Sequence, residues 1–308
     1  MSLAIMFAGQ GAQFVGMGKE LYQVARCRRV FDEADEVLGF SITGLMFEGE
    51  ERELGLTENT QPALLTHSIA AWELIRQEFA RPGFLLGLSL GEYSALVAAG
   101  ALGFADALRL VRRRGQLMQQ ACPEGVGAMS AIFGLGRDAV VKACSQAEHM
   151  GVIGPANYNM PGQVVIAGVV AALEEAEACC VRLGAKRCIR LKTSGAFHTA
   201  LMESAGQALG LELAELEARG LVGEMRIPVV SNFDARPIKS SAFVAQTLVR
   251  QVSSPVMWED SIKFLIDEGV KTFIEVGPGN TCSGFVKKIA AAAEGSSENF
   301  KIKSYSEV

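Results

Sequence analysis

Six apolar residues in a row, Leu3 to Ala8, break off at Gly9-Gln10-Gly11-Ala12-Gln13. An unalternating run of that length is what a strand buried on both faces looks like, so it predicts a parallel sheet. A long helix is expected from about Met17 to Leu38. Thr57-Glu58-Asn59-Thr60-Gln61-Pro62 reads as a second helix start, a capping side chain before a proline in the first turn, and apolar spacing carries that helix to about Phe79. Arg81-Pro82-Gly83 breaks the chain. Phe84-Leu85-Leu86 then feeds Gly87-Leu88-Ser89-Leu90-Gly91, and Glu92 through Ala99 are helix formers, giving strand, tight turn, helix. Phe104 to about Ala121 is a further helix.

From Pro123 to Lys192 the texture changes. Met129 to Leu135, Val152 to Tyr158, Val164 to Ala167 and Arg187 to Leu191 read as strands, with helices at Asp138 to His149 and Ala171 to Leu183. The order βαββαβ is the split, ferredoxin-like motif, and Gly125, Gly127 and Gly195 mark its edges as an insert in a larger α/β body. The body resumes at Thr193 with a helix over about 200–218 and a strand at Pro228 to Asn232. Helices follow near 242–251 and 257–268, then a strand at Thr272 to Val276, the loop Gly277-Pro278-Gly279 and a last helix over about 281–293. The tail from Gly295 is polar and expected to be loose. Residues 1–124 and 193–308 thus form the larger unit and 125–192 the smaller.

Composition narrows the function. The 308 residues are 49% hydrophobic and 20% charged, a globular balance, and no apolar run approaches the roughly 18 residues of a membrane span. A net charge of −5 argues against a nucleic-acid partner and requires any anionic substrate to meet a local cation. The seven cysteines are odd in number and lack Cys-x-x-Cys spacing, so they read as buried hydrophobes in a reducing compartment. Met1-Ser2-Leu3 runs almost directly into a strand, which keeps open a trimmed start or a removed transit peptide.

Gly87-Leu88-Ser89-Leu90-Gly91 is a nucleophile elbow: the flanking glycines remove Cβ atoms that would clash, and the strained turn lifts the serine hydroxyl into the open. An ordinary strand-to-helix turn is the alternative. The Leu90 amide at the helix start points where an oxyanion would form. Gly9-Gln10-Gly11 imitates a dinucleotide fingerprint but has Phe14 in place of the third glycine, so it reads as a loop presenting amides to a site. A serine nucleophile needs a base. Of the three histidines, His67 lies on an amphipathic helix as a packing residue and His149 closes a helix. His198, in a loop just after the insert, is the best candidate. No Asp or Glu stands convincingly as third member, and a backbone carbonyl is the alternative orienter. Arg112-Arg113-Arg114 reads by pattern as a solvated helix face. A guanidinium near the serine would instead imply a substrate with its own carboxylate.

Taken end to end, the chain resembles the malonyl-CoA:acyl carrier protein transacylases of fatty-acid and polyketide synthesis. The resemblance is carried by Phe7-Ala8-Gly9-Gln10-Gly11-Ala12-Gln13, Thr60-Gln61-Pro62-Ala63, Gly87 through Leu96, Arg114-Gly115-Gln116-Leu117-Met118-Gln119, Asn157 through Gly168, Ala196-Phe197-His198 and Glu275-Val276-Gly277-Pro278-Gly279, in the family's order. It implies an α/β-hydrolase-like body with a ferredoxin-like insert and the active site between them. Ser89 would be acylated, His198 would act as base and then acid, and the Gln10 and Leu90 amides would form the oxyanion hole. Arg114 would clamp the malonyl carboxylate, and the backbone carbonyl of Gln251 would orient His198. No metal or cofactor is implied, since coenzyme A and carrier phosphopantetheine enter as substrate parts. Malonyl-CoA and acyl carrier protein are the implied partners of a cytoplasmic monomer, an organelle matrix staying open.

Two positions depart from the family pattern: Leu88 replaces the usual histidine before the nucleophile, and Ala8 the usual proline. Losing that histidine leaves the assigned triad roles intact, with altered hydrogen bonding around the elbow and only a modest effect on turnover expected from Leu88. Ala196-Phe197-His198 is similar to the triplet that goes with malonyl rather than methylmalonyl in the polyketide relatives, which implies that Phe197 leaves little room for a methyl at C2; a preference within about 1–3 kcal/mol is expected. Lys186, Arg187, Lys287 and Lys288 are candidates for docking an acidic carrier. A serine thioesterase would use the same serine and histidine but leave Arg114 without purpose, and a carrier-binding scaffold without catalysis would leave Ser89 unlabelled by malonyl-CoA.

Overall fold

The computed structural model describes residues 2–79, 81–193, 195–295 and 299–306. In chain order the elements are β1 (Ser2–Phe7), α1 (Lys19–Tyr22), α2 (Ala25–Leu38), α3 (Ile42–Glu48), α4 (Glu51–Gly55), α5 (Thr57–Ile75), β2 (Phe84–Gly87), α6 (Gly91–Ala99) and α7 (Phe104–Ala121). Then come β3 (Gly127–Phe133), α8 (Arg137–Ala147), β4 (Ile153–Met160), β5 (Gln163–Val169), α9 (Val170–Arg182) and β6 (Arg187–Arg190). The chain ends with α10 (Glu203–Ala218), α11 (Val244–Ser253), α12 (Trp258–Asp267), β7 (Val270–Val276), α13 (Thr281–Glu294) and β8 (Lys301–Tyr305).

Two sheets organise these elements. The first is parallel, in the order β2-β1-β7-β8. Its inner strands are β1 and β7; in β1, Ala4 through Phe7 are fully buried, which is why that stretch carries no polar alternation. Phe7 lies beside Gly87, so the loops leaving β1 and β2 emerge side by side at the carboxyl ends of their strands. That edge is where open α/β sheets place their ligands. The second sheet is antiparallel, in the order β4-β5-β3-β6, with α8 and α9 packed on it around a small core that includes Ile132, Val164, Ile166 and Leu173. The sheets are tied together where Tyr158 donates its N–H to Val256 O at 2.9 Å and Val256 donates back to Ala156 O at 2.8 Å.

Several expectations are corrected. The helix expected over 17–38 is broken between α1 and α2, because Val24 is extended and Arg28 Nε donates to the Tyr22 carbonyl. Pro62 lies inside α5 rather than in its first turn, no side chain caps that helix, and it ends at Ile75. The strand expected at 228–232 shrinks to isolated bridges, Val229 to Leu85 and Val230 to Pro237. The chain there reverses in a tight turn in which Ser231 N–H donates to Arg236 O at 2.9 Å and Ala235 takes φ 55°. The tail is not loose over 301–305: β8 adds to the sheet beside β7, and buried Phe300 anchors it. The elements of the 125–192 stretch fall where the pattern puts them, within two or three residues. No helix among the described residues is long and apolar enough to cross a membrane. All seven cysteines are free thiols, six of them buried.

Candidate active site

The turn between β2 and α6 is built by close approach. A Cβ on Gly87 would overlap the Gly91 carbonyl group, and one on Gly91 would overlap the Phe7 carbonyl oxygen, so both positions must be glycine for the helix to fold back against β1 and β2. Leu88 N–H donates to Phe7 O at 3.1 Å and Gly91 N–H to Leu88 O at 2.9 Å. Ser89 is thereby held at φ 51°, in the left-handed region a non-glycine residue avoids, and His198 is the second such residue at φ 61°. The two strained residues face each other, with Ser89 Oγ 2.7 Å from His198 Nε2.

The proton positions follow from the partners. His198 Nδ1 lies 2.8 Å from the backbone oxygen of Gln251, which can only accept, so Nδ1 carries the hydrogen and Nε2 is left to accept from the serine hydroxyl. Among the described residues no carboxylate takes part in orienting His198. Its imidazole is buried and pushed down to about 4, first by desolvation and then by the charge of Arg114, so it is neutral at physiological pH. A neutral imidazole is what a general base must be.

Arg114 is not a solvated residue, as the run of three arginines suggested. It is 1% exposed, whereas Arg112 and Arg113 are half-buried and find Asn59 and Glu212. Its Nη2 donates to Ser89 Oγ at 3.2 Å and to Gln251 Oε1 at 3.0 Å, and its guanidinium carbon lies 5.3 Å from the Tyr93 ring centroid. Desolvation pulls its pKa below the ordinary value and drives the Tyr93 phenol up to about 12. A guanidinium this far from water keeps its charge for want of an alternative, and it is available to a substrate anion beside the serine.

The two backbone amides expected to face an oxyanion are unspent. Among the described residues neither the Gln10 nor the Leu90 N–H donates to another protein group. The Gln10 side chain is tied back to Thr57 Oγ1 at 3.3 Å, and Leu90 sits at the amino end of α6, where the helix dipole favours negative charge. Phe197 is buried in the main core, next to His198 in sequence. Leu88 is half-buried and packs, with Met160 of β4, against the cluster around Trp258. His67 is fully buried in α5, and exposed His149 places Nδ1 2.9 Å from Gln146 O. Neither is at the serine. Lys186, Arg187, Lys287 and Lys288 are all exposed.

Three contributions were missed. Asn232 accepts the Ser89 N–H at 2.6 Å and donates Nδ2 to Gly87 O at 2.7 Å, bracing both sides of the elbow. The side chain of Gln251 donates to Ser89 O at 2.9 Å, so that residue holds the histidine with its backbone and the serine with its amide. Beneath them Glu92, fully buried, accepts from Asn232 N–H and Gln251 Nε2, each at 2.9 Å. Asn232 and Gln251 lie 143 and 162 residues from Ser89 and carry no local signal. An acid three residues after the serine on a helix was a visible one.

The whole chain has counterparts. The acyl transferase domain family matches residues 5–299. A malonyl CoA-acyl carrier protein transacylase of Bacillus subtilis is 47% identical over 93% of this chain and 90% of its own length, and one of Salmonella typhimurium is 43% identical over 96% and 95%. Among solved structures, an acyl carrier protein S-malonyltransferase from Vibrio cholerae superposes with a TM-score of 0.93 at 42% identity, covering 100% of this chain and 98% of that one. A malonyl-transacylase in complex with a type II polyketide-synthase acyl-carrier protein superposes with a TM-score of 0.92 at 38% identity, covering 100% and 97%. The chain belongs to the acyl transferase domain family.

Proposed function

We propose that this chain is an acyl carrier protein S-malonyltransferase that moves malonyl from malonyl-CoA to the phosphopantetheine thiol of acyl carrier protein, in fatty-acid synthesis, through a malonyl ester on Ser89. The observation that carries the reading is a buried guanidinium 3.2 Å from the nucleophile of an elbow whose base is 2.7 Å away. The names of the relatives above agree with it.

In the first half-reaction Ser89 Oγ attacks the thioester carbonyl as its proton passes to His198 Nε2. The Gln251 carbonyl stabilises the imidazolium at Nδ1–H. The Leu90 and Gln10 amides receive the oxyanion, and the coenzyme A sulfur departs with the proton from His198. The second half repeats this with the carrier thiol as nucleophile. Arg114 binds the malonyl carboxylate through paired hydrogen bonds, trading its present contact with Gln251 Oε1 for the substrate. The reaction as proposed needs neither metal nor cofactor.

An α/β-hydrolase-like body over 1–124 and 193–308 and a ferredoxin-like unit over 125–192 are the proposed divisions. The all-antiparallel order β4-β5-β3-β6 supports the second. The proposed state is a monomer. Free cysteines suit the reducing cytoplasm.

Arg114→Ala tests the reading. Loss of a charge-assisted bidentate contact worth roughly 1.5–3 kcal/mol should lower malonyl transfer about 10- to 100-fold beyond any loss in acetyl transfer. Equal losses for the two acyl groups would favour a thioesterase.

A further inference from the structure

Arg114 is a buried cation with no carboxylate against it among the described residues. Its charge reaches one through a single amide. Arg114 Nη2 donates to Gln251 Oε1 at 3.0 Å, and Gln251 Nε2 donates to Glu92 Oε2 at 2.9 Å. An amide spanning a cation and an anion has its dipole aligned between them, and the dry surroundings leave that coupling unscreened. Glu92 Oε2 also takes the Asn232 N–H, whereas Oε1 is buried and has no partner. The acyl-transfer steps give this carboxyl nothing to do.

We infer that Glu92 is the resident counter-ion of Arg114, and that a malonyl carboxylate arriving on Arg114 takes over that role and drives one solvent proton onto Glu92 Oε1. The inference rests on the malonyl reading of Arg114. Two anions sharing one buried guanidinium repel each other, and protonating the one that stays behind removes the excess charge. Oε1 is the atom that takes the proton, because both hydrogen bonds to Oε2 survive when Oε1 becomes O–H. The group is poised for it: burial pushes Glu92 up to about 7, with Gln251, Asn232 and Arg114 opposing that rise in decreasing order and the nearby Asp234 adding to it. Tyr93, on the same helix, stays neutral. When Arg114 is neutralised by substrate, the last of the three opposing influences weakens and Glu92 gains its proton. Transfer of malonyl to the carrier empties Arg114 and releases it again.

The test is isothermal titration calorimetry of Ser89→Ala protein, which cannot be acylated, with malonyl-CoA and acetyl-CoA at pH 7 in buffers of differing ionisation enthalpy. Malonyl-CoA is expected to draw in up to about 0.5 proton per site, because a group near its midpoint is half empty. Acetyl-CoA, which shares every other ionisable group, should draw in none beyond what its coenzyme A portion takes. Adding Glu92→Gln should abolish the difference while malonyl-CoA still binds. Should that variant not fold, Glu92-containing protein gives a second readout: affinity for malonyl-CoA weakens as pH rises from 6 to 8, and affinity for acetyl-CoA does not. Equal uptake with both thioesters, or undiminished uptake in Glu92→Gln, overturns the inference. If Arg114→Ala binds malonyl-CoA as tightly as its parent, the malonyl reading fails. If Arg114→Ala loses binding but the parent shows no malonyl-specific uptake, only the counter-ion inference fails.

Discussion

At the scale of single residues, the members of the candidate site were legible where one side-chain type admits few uses. A glycine-flanked serine after an apolar strand and a histidine outside any amphipathic face could be named from sequence. Arg114 could not be told from Arg112 and Arg113 without the family resemblance, because burial of one arginine in three depends on what α7 packs against. The Gln251 carbonyl was likewise reachable only through resemblance, since a backbone atom carries no side-chain signature. His198 makes a prediction at this scale. Its folded pKa of about 4 lies below the ordinary 6.5, so in the window between them the unfolded chain holds a proton that the folded protein does not. Stability is therefore lost as pH falls through that window. Between pH 7 and pH 5 this group should cost the parent protein about 2 kcal/mol that His198→Gln does not lose. Denaturant unfolding of both proteins at the two pH values measures it. The opposite contribution of Glu92, whose raised pKa makes its ionised form costly above pH 4.5, is common to both proteins and cancels.

At the scale of elements, period and punctuation located nearly every helix and strand near the site, while failures occurred where tertiary contacts decide. The 228–232 segment has the composition of a strand, yet the N–H of Asn232 goes to Glu92 instead of a neighbouring strand. In β8 the polar residues of a strand at the sheet edge resemble a tail, and only its seat beside β7 distinguishes them. The short helices α3 and α4 carry too few turns to show a period. Glu275 closes a similar gap: at the end of β7 it accepts the N–H groups of Cys282 and Ser283, at 3.0 and 2.7 Å, and so caps α13 across the Gly277-Pro278-Gly279 loop. The elbow is the element with least tolerance. Gly91→Ala places a methyl group on the backbone oxygen of Phe7, which cannot move without shifting β1, and should cost at least about 2–4 kcal/mol together with most Ser89 labelling by a fluorophosphonate. Gly55→Ala, facing open space at the end of α4, should be neutral or stabilising by up to about 1 kcal/mol. Similar losses for the two would show that helix propensity, not close approach, governs the elbow.

For the whole molecule, the question is what keeps the antiparallel unit fixed against the parallel one, since Gln251 stands close in sequence to the seam. The pairing of Tyr158 with Val256 begins five residues after the carbonyl that holds His198. Beside it, Arg137 at the start of α8 reaches across to the first turn of α12. Its Nη1 lies 2.7 Å from Asp260 Oδ2 and Nη2 3.2 Å from Glu259 Oε2, with the guanidinium 4.4 Å from the Tyr158 ring centroid. Both acids also sit at the positive end of α12, so they are held whether or not the arginine is present. Glu259 is 6% exposed, and this partial desolvation separates the contact from an open ion pair such as Lys19 with Glu48, where both partners are well exposed. Arg137→Ala should therefore lower unfolding stability by about 1–3 kcal/mol, less than loss of a fully buried pair because Lys263 still neutralises Glu259. Lys19→Ala should change it by less than about 0.5 kcal/mol. Because the seam fixes the segment that follows Gln251, Arg137→Ala should also slow fluorophosphonate labelling of Ser89 while the protein remains folded. Unchanged labelling in a destabilised Arg137→Ala protein would mean that the two units are held together without any bearing on the alignment of His198.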